Sequence, residues 1–329
     1  MKKIHLLGLN QDWSPGVDFF FLNKYLRKFG YKISTSKFAV NSIVYLPGKY
    51  SVKKSYYHLL NNKVVFDYFH GNPEIHPEFK DIFQFIINNQ KRFHKIRITN
   101  SKIKKLFEEN GMGNKLRIIP IGINSEDFKI LNEDEKLKFK NEIKIPHNMT
   151  IIGSFQKDGV GWNGGDEPKL IKGPDILVSV IKKINYIKKN IFVLLLGPSR
   201  NYVKKELEKL NIPFLHVFEK DNRQIYKYYN LLDLYLITSR EEGGPKALLE
   251  SMACKIPIVS TPVGQCIDIL NKNNGILCDT FSPQEISNKA IKILDNDDFS
   301  KSLIEEGFVT SKFHSIDNQK DLWEDFFNI

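Results

Sequence analysis

Leu232-Asp-Leu-Tyr-Leu-Ile-Thr-Ser-Arg-Glu-Glu-Gly-Gly-Pro-Lys-Ala-Leu-Leu-Glu-Ser-Met-Ala-Cys-Lys-Ile-Pro257 is the stretch whose residue types decide the fold class. It opens with an apolar run, residues 232–238, of the length and composition of a buried strand. Glu241, Glu242, Gly243 and Gly244 break that run as a turn, and a helix is expected to start near Pro245. Proline in a first helical turn gives up no hydrogen bond, so glycine followed by proline marks a helix start. Strand, glycine turn and helix in immediate succession form the unit of an α/β domain with a parallel sheet covered on both faces.

The alternation extends in both directions. In the same half, residues 150–155, 191–196, 214–218, 256–260 and 275–277 read as further strands. Residues 174–188, 201–210, 222–229, 246–253, 266–270 and 283–294 read as helices. The first half repeats the pattern, with strands at 3–9, 32–34, 42–46, 63–68, 96–99 and 116–120 and helices at 17–29, 78–88 and 102–110. Residues 124–148 are polar and charged and read as an interdomain connection containing one helix. The final pattern, 317–327, carries Leu322, Trp323, Phe326 and Phe327 on one face and has to bury it. Two doubly wound α/β domains are expected, with ligand at the carboxyl ends of the strands.

Composition agrees with a folded chain of two domains: 329 residues, 41% hydrophobic and 26% charged. No apolar run approaches the roughly 20 residues that span a bilayer. The first apolar stretch runs directly into Asn10-Gln11-Asp12 without a small-residue cleavage site, which reads as a strand rather than a signal peptide. A cytoplasmic location is the expectation. Cys254, Cys266 and Cys278 are odd in number and include no Cys-x-x-Cys pair, so they read as reduced packing residues. Asp295-Asn-Asp297 follows a late helix and reads as a solvated turn, so no metal site is expected.

The net charge of +11 is unevenly placed. Residues 1–150 hold 26 Lys and Arg against 14 Asp and Glu, and the remainder holds 23 against 24. A basic first half can mark an anionic partner or a solvated face. Within it, Phe79, Phe83 and Phe85 lie close to Lys91, Arg92, Lys95, Arg97, Lys102, Lys104 and Lys105. That combination reads either as a membrane-surface face or as core aromatics beside solvated lysines.

The chemistry is concentrated in the opening stretch. Consecutive glycines leave backbone N–H groups open to close approach, and a helix start favours phosphate. Glu242 and Glu250, about two helical turns apart, bracket it. Carboxylates accept hydrogen bonds only, which suits a vicinal diol rather than a phosphate. A phosphate-friendly helix start between diol-friendly carboxylates reads as a sugar-nucleotide site.

In these residues, and in the following Glu-Ser-Met-Ala-Cys-x-x-Pro-x-x-x-Thr, the stretch resembles the E-x7-E motif of retaining GT-B glycosyltransferases of family 4. The resemblance implies two Rossmann-like domains facing a central cleft. Residues 1–147 would form the acceptor-side domain, joined by a C-terminal helix at 316–329, and 148–315 the nucleotide-sugar donor domain. It implies that Glu242 holds donor-sugar hydroxyls and Glu250 the ribose, with Gly243, Gly244 and Pro245 at the phosphates. Gly153-Ser-Phe-Gln-Lys157 and Leu170-Ile-Lys172-Gly173 are similar to the loops where the family places a basic pair against the departing diphosphate. Lys172 matches the lysine. The family's arginine, directly after the glycine, is Ser154 here, and Lys157 is expected to supply that charge.

Pro120-Ile-Gly-Ile-Asn124 and Ser260-Thr-Pro-Val-Gly264-Gln265 also resemble family elements. Arg200, after Leu196-Gly197-Pro198, is a candidate for the nucleotide, His70 for the transferred sugar and Gly16 for the diphosphate or acceptor. The implied activity is metal-independent, retaining transfer from a UDP- or GDP-sugar to a hydroxyl acceptor, a glycan or a lipid-linked group. The setting would be surface polysaccharide or glycoconjugate synthesis. The basic half would allow peripheral contact with the inner face of a membrane. No cofactor beyond the sugar nucleotide and no nucleic acid are expected. A GT-B epimerase or phosphorylase would need an acid/base set or cofactor lysine that the sequence does not display. A nucleic-acid-binding scaffold would leave the Glu-Gly-Gly-Pro segment unexplained.

Overall fold

The computed structural model describes residues 3–7, 14–48, 51–161 and 164–329, with the backbone alone for 14–18. The chain forms two compact units, Met1–Asn124 with Ser315–Ile329, and Ser125–His314.

The first unit is built on strands β1 (Lys3–Leu6), β2 (Lys32–Ser34), β3 (Ile43–Pro47), β4 (Lys63–Tyr68), β5 (Lys95–Ile98) and β6 (Leu116–Ile118). They pair in the order β2-β1-β3-β4-β5-β6, every pair parallel. Successive strand side chains point to opposite faces, and both faces are apolar. Val44, Leu46, Val64, Phe66, Ile96 and Ile98 pack with Ile82, Ile86, Ile103 and Phe107. Ile43, Tyr45 and Val65 pack instead with Leu22 and Leu26 of helix Ser14–Lys28 and with Trp323, Phe326 and Phe327 of helix Lys320–Phe327. Coverage on both faces explains why these strands read as continuous apolar runs.

A buried polar network lies beneath the last helix. Arg97 Nη1 is 2.8 Å from Asp67 Oδ2, and the Tyr45 hydroxyl donates to the same oxygen. Arg97 also donates from Nε to Ile119 O at 2.9 Å and from Nη2 to Pro120 O at 3.1 Å. Its guanidinium lies 5.1 Å from the Trp323 ring centre, a cation–π contact. Burial, and then the Asp67 charge, push the Tyr45 phenol well above the ordinary tyrosine range, so it stays a donor. Lys95 Nζ donates to the carbonyls of Asp325 and Asn328.

Lys95 and Arg97 are therefore interior anchors for the returning helix, not part of a basic surface. Phe83 and Phe85 pack against the core, and Phe79 stacks on His70 at 5.5 Å. His70 itself is buried at the end of β4 among aromatic rings, 4.5 Å from Phe69 and 5.4 Å from Tyr68. Gly16, expected in a loop, lies inside the first turn of helix Ser14–Lys28. Trp13, expected in the same loop, falls outside the described residues.

The second unit contains β7 (Thr150–Phe155), β8 (Ile191–Leu196), β9 (Phe214–Val217), β10 (Leu234–Ile237), β11 (Ile258–Ser260) and β12 (Ile276–Leu277). Their order is β12-β11-β10-β7-β8-β9, again with parallel pairs. The core joins Ile152, Val193, Leu195, Leu234 and Leu236 to helices Pro174–Ile187 and Pro283–Leu294. The segment read as a connection packs onto this unit, which moves the boundary from 147/148 to 124/125. The Leu131 N–H donates to Asn230 Oδ1 at 2.8 Å, Asn230 Nδ2 donates to Lys129 O at 2.7 Å, and the Phe139 ring meets Tyr228 at 5.1 Å. Helix Asp297–Phe313 was not expected from the sequence. The Asp295-Asn-Asp297 turn is its start, where Asn296 Oδ1 accepts from the Phe299 N–H at 2.9 Å. Among the described residues no helix is long and apolar enough to cross a membrane.

Removing Arg97 leaves Asp67 buried and without its cation. Arg97→Ala is expected to destabilise the chain by about 3–5 kcal/mol, measured by urea unfolding. A loss below about 1 kcal/mol, the median for exposed pairs, would show that the network does not anchor the helix.

Candidate functional site

Three loops of the second unit meet at the carboxyl ends of adjacent strands β7, β10 and β11. The first leaves β7 at Phe155 and runs through Gln156 and Lys157 to the short helix Leu170–Lys172. The second is the turn after β10, Thr238 to Gly244. The third, Thr261 to Gln265, follows β11.

Close backbone approach joins the first two. Gly173 has φ +63°, and a Cβ there would lie 1.9 Å from Thr238 O. Only glycine permits both the left-handed conformation and that contact. The backbone N–H groups of Arg240 and Glu241 donate to Ile171 O at 2.9 and 3.0 Å. Arg240 forms a bidentate pair with Asp175 at 2.7 and 2.6 Å and donates to Leu170 O at 2.7 Å. The Arg240 hydrogen bonds hold the Asp175 carboxyl below the usual carboxylate range. The third loop closes in the same way. Thr261 Oγ1 donates to Ser239 O at 2.6 Å. Gly264 has φ +50°, and a Cβ on it would lie 2.8 Å from Gly243 O and 2.9 Å from Glu242 O.

These contacts bring Lys172 Nζ to 2.5 Å from Glu242 Oε1. Ser239 Oγ lies 2.9 Å from the same Glu242 oxygen and 3.2 Å from Gln156 Oε1, while Gln156 Nε2 donates to Lys172 O at 3.0 Å. The side chains of Lys172 and Glu242 are 24% and 14% exposed, so the pair is partly dried but still reachable. A cation that can meet an anionic group and a carboxylate that can accept hydroxyls sit side by side.

Glu250 stands apart from this pair. The helix that carries it is Ala247–Ala253, starting two residues after Pro245 rather than at it. Glu250 Oε2 accepts from the Tyr229 hydroxyl at 2.8 Å. Tyr229 is fully buried, 4.6 Å from Phe155 and 5.5 Å from Tyr235. Burial, reinforced by Glu250, raises its phenol well above the ordinary value, so it holds the carboxylate as a neutral donor. Gly243 is buried and Gly244 and Pro245 are partly exposed. Lys157 is partly exposed, and desolvation pulls its ammonium below the ordinary lysine value.

Arg200 is not available to a nucleotide. It is 0% exposed, with Nε 3.0 Å from Asp158, itself 0% exposed. Nη1 donates to Ser154 O at 2.6 Å and to Leu196 O at 2.8 Å, and Nη2 lies 3.4 Å from Ser154 Oγ. Positive φ at Gly197 (+104°) and Ser199 (+58°) turns the chain so that Arg200 points beneath β7. Burial raises the Asp158 carboxyl above its ordinary value, opposed by Arg200. His70 and Gly16 belong to the first unit, as described above. Sequence reading did not single out Ser239, Gln156, Arg240, Asp175 or Tyr229. The Thr-Ser-Arg run before the two glutamates was the available signal for the first and third of these.

Residues 168–309 match the family model described as Glycosyl transferases group 1. An uncharacterised glycosyltransferase of Methanocaldococcus jannaschii is 29% identical over 145 residues, covering 43% of this chain and 40% of the relative. A second from the same organism is 26% identical over 243 residues, covering 69% and 57%. The chain thus spans about half the length of these curated relatives. The crystal structure of Anabaena HepE in complex with UDP superposes over 100% of both chains with a TM-score of 0.77 at 14% identity. The two doubly wound parallel sheets are those of the GT-B fold.

Two outcomes test the loop construction. Gly173→Ala is expected to lower stability by at least about 1–3 kcal/mol, the cost of a strained backbone alone, and to lower the melting temperature accordingly. Asp175 has a depressed folded-state pKa, so its pairing contributes fully above the ordinary carboxylate value of about 4 and is lost as pH falls through the lower folded value. Asp175→Asn should therefore flatten this part of the acid limb of stability, read by thermal melts between neutral and acid pH. An acid limb identical to that of the parent chain would show that the Arg240 clamp contributes nothing.

Proposed function

Because residues 168–309 match the Glycosyl transferases group 1 family model, we propose that the protein is a retaining glycosyltransferase using a nucleoside-diphosphate sugar. The observation that carries the proposal is the Lys172–Glu242 pair at 2.5 Å, held by Ser239 and Gln156 at the carboxyl ends of β7 and β10. A sugar nucleotide offers each member a better partner than the other. Its diphosphate is anionic and suits Lys172, and its sugar hydroxyls suit Glu242.

In this reading the C–O bond between the anomeric carbon and the diphosphate breaks, and negative charge grows on the departing phosphate oxygen. Lys172 stabilises that charge and Lys157 adds a second cation from the same loop, so the scheme calls for no metal. Glu242 and the buried Gly243 backbone fix the sugar. Glu250, oriented by Tyr229, accepts from the ribose hydroxyls. The acceptor hydroxyl adds to the anomeric carbon from the leaving-group side, and its proton passes to the departing phosphate. The acceptor in this reading is a glycan or a lipid-linked group, as surface polysaccharide or glycoconjugate synthesis would require. The UDP bound by Anabaena HepE makes UDP-sugars the first donors to examine.

A thermal-shift screen across UDP- and GDP-sugars should raise the melting temperature with at least one donor. With that donor, Glu242→Ala and Lys172→Ala should each lower turnover at least about a hundredfold, the scale of a lost charge-stabilising group, while leaving the melting temperature of the free protein within a few degrees. Failure of every sugar nucleotide to stabilise the protein would refute the proposal.

A further inference from the structure

The first unit carries an apolar surface in an unusually one-signed electrostatic setting. From Phe19 to Phe66 the sequence holds nine Lys and Arg residues and no Asp or Glu. Inside that span, the chain before β3 lies beside the 3-10 helix Val52–Leu60. Asn62 Nδ2 donates to Ala39 O at 2.8 Å and to Tyr57 O at 3.1 Å, and the Asn41 N–H donates to Leu60 O at 3.3 Å. The Tyr57 hydroxyl donates to Lys37 O. Ala39 and Tyr57 turn inward, and their neighbours turn out.

The result is a cluster of exposed large side chains: Phe38 at 78%, Leu59 at 75%, Tyr56 at 51%, and Val40 and Leu60 at 43% each. Such a patch costs solvation free energy in water unless something covers it. Lys37 and Lys53 are exposed beside it, and Lys3 and Lys63 line a shallow concavity at the adjoining amino ends of β1 and β4. Apolar side chains ringed by lysines, with no carboxylate in the span, match the acyl boundary and headgroups of an anionic bilayer. The patch lies at the amino ends of β3 and β4, the opposite edge of this sheet from the strand ends where α/β folds place ligands. The face at 79–105 lacks this character, because Phe83 and Phe85 join the core and Lys95 and Arg97 are interior.

We propose that the surface formed by residues 37–41 and 53–63 docks the protein on an anionic membrane, with Phe38 and Leu59 entering the headgroup boundary. The proposal is independent of the transfer reaction and is tested without it.

The full chain is sedimented with vesicles of phosphatidylglycerol and phosphatidylcholine, and separately with phosphatidylcholine alone. Binding to the anionic vesicles at low salt, weakened by added salt and on the order of tenfold weaker or less on the neutral ones, is expected. Phe38→Ser with Leu59→Ser, and separately Lys37→Gln with Lys53→Gln, should each weaken binding on the order of tenfold. All four positions are exposed, so melting temperatures should stay near the parent value. Equal binding to neutral vesicles, or unchanged binding by both double variants, would overturn the proposal. So would a dimer in solution that the Phe38→Ser/Leu59→Ser variant dissociates while no form binds vesicles, because the patch would then cover a second copy.

Discussion

Gly173 and the Thr238 carbonyl approach so closely that no side chain can stand between them, and the candidate site depends on this contact. It ties the loop after β7 to the turn after β10. Without it, Lys172 and Glu242 would belong to two separately moving segments. The surrounding bonds act in the same direction, since Ile171 O accepts from two consecutive N–H groups of the turn and Arg240 grips the start of the next helix through Asp175. Gly264 repeats the device on the other side, where the third loop lies against the carbonyls of Glu242 and Gly243. The pair is thus positioned by backbone geometry that glycine alone allows, and the polar side chains decorate that frame.

The charge arrangement next to the site departs from the family resemblance in an informative way. Ser154 stands where an arginine is usual, and the guanidinium nearest to it belongs to Arg200. That guanidinium is fully buried, bonded to Ser154 O and paired with Asp158. Its charge is therefore compensated within the fold and not free to meet an anionic ligand. Lys172 then carries the main burden of positive charge on this side, with Lys157 on the same loop. The Lys172–Glu242 pair holds both groups in a partly dried setting where a ligand's charge is felt more strongly than in bulk water.

The strands were legible because each is a run of β-branched and other apolar residues buried on both faces, and the Gly-Gly-Pro turn was legible because its residues are conformationally distinctive. Helix Asp297–Phe313 was not. Its buried positions, spaced four apart, are Leu303, Gly307 and Ser311, so two of three carry no apolar signal. A Cβ on Gly307 would lie 3.1 Å from Asn274 O and 3.3 Å from Met252 Cγ, so the helix packs tightly at this position. Arg200, Lys95 and Arg97 misled for a related reason. Long cationic side chains usually lie at the surface, and nothing local distinguishes the few that reach inward to a carbonyl or carboxylate far along the chain. Glu242, Glu250 and Lys172 were legible as candidates through spacing and resemblance, whereas Ser239, Gln156 and Tyr229 became visible only once tertiary contacts placed them beside those residues.

The return of the last helix to the first unit has a temporal meaning. Trp323, Phe326 and Phe327 complete one face of a sheet whose strands all precede residue 119, and Arg97 and Lys95 await partners from the same late segment. During synthesis the first unit emerges with that face bare, Arg97 already paired with Asp67 but not yet under the Trp323 ring, and Lys95 still short of the Asp325 and Asn328 carbonyls, and remains so while the whole of the second unit is translated. The second unit, continuous in sequence from Ser125 to His314, can fold as it emerges. The first can finish only after the ribosome has added the helix that seals it, so the half of the protein made first is the half completed last.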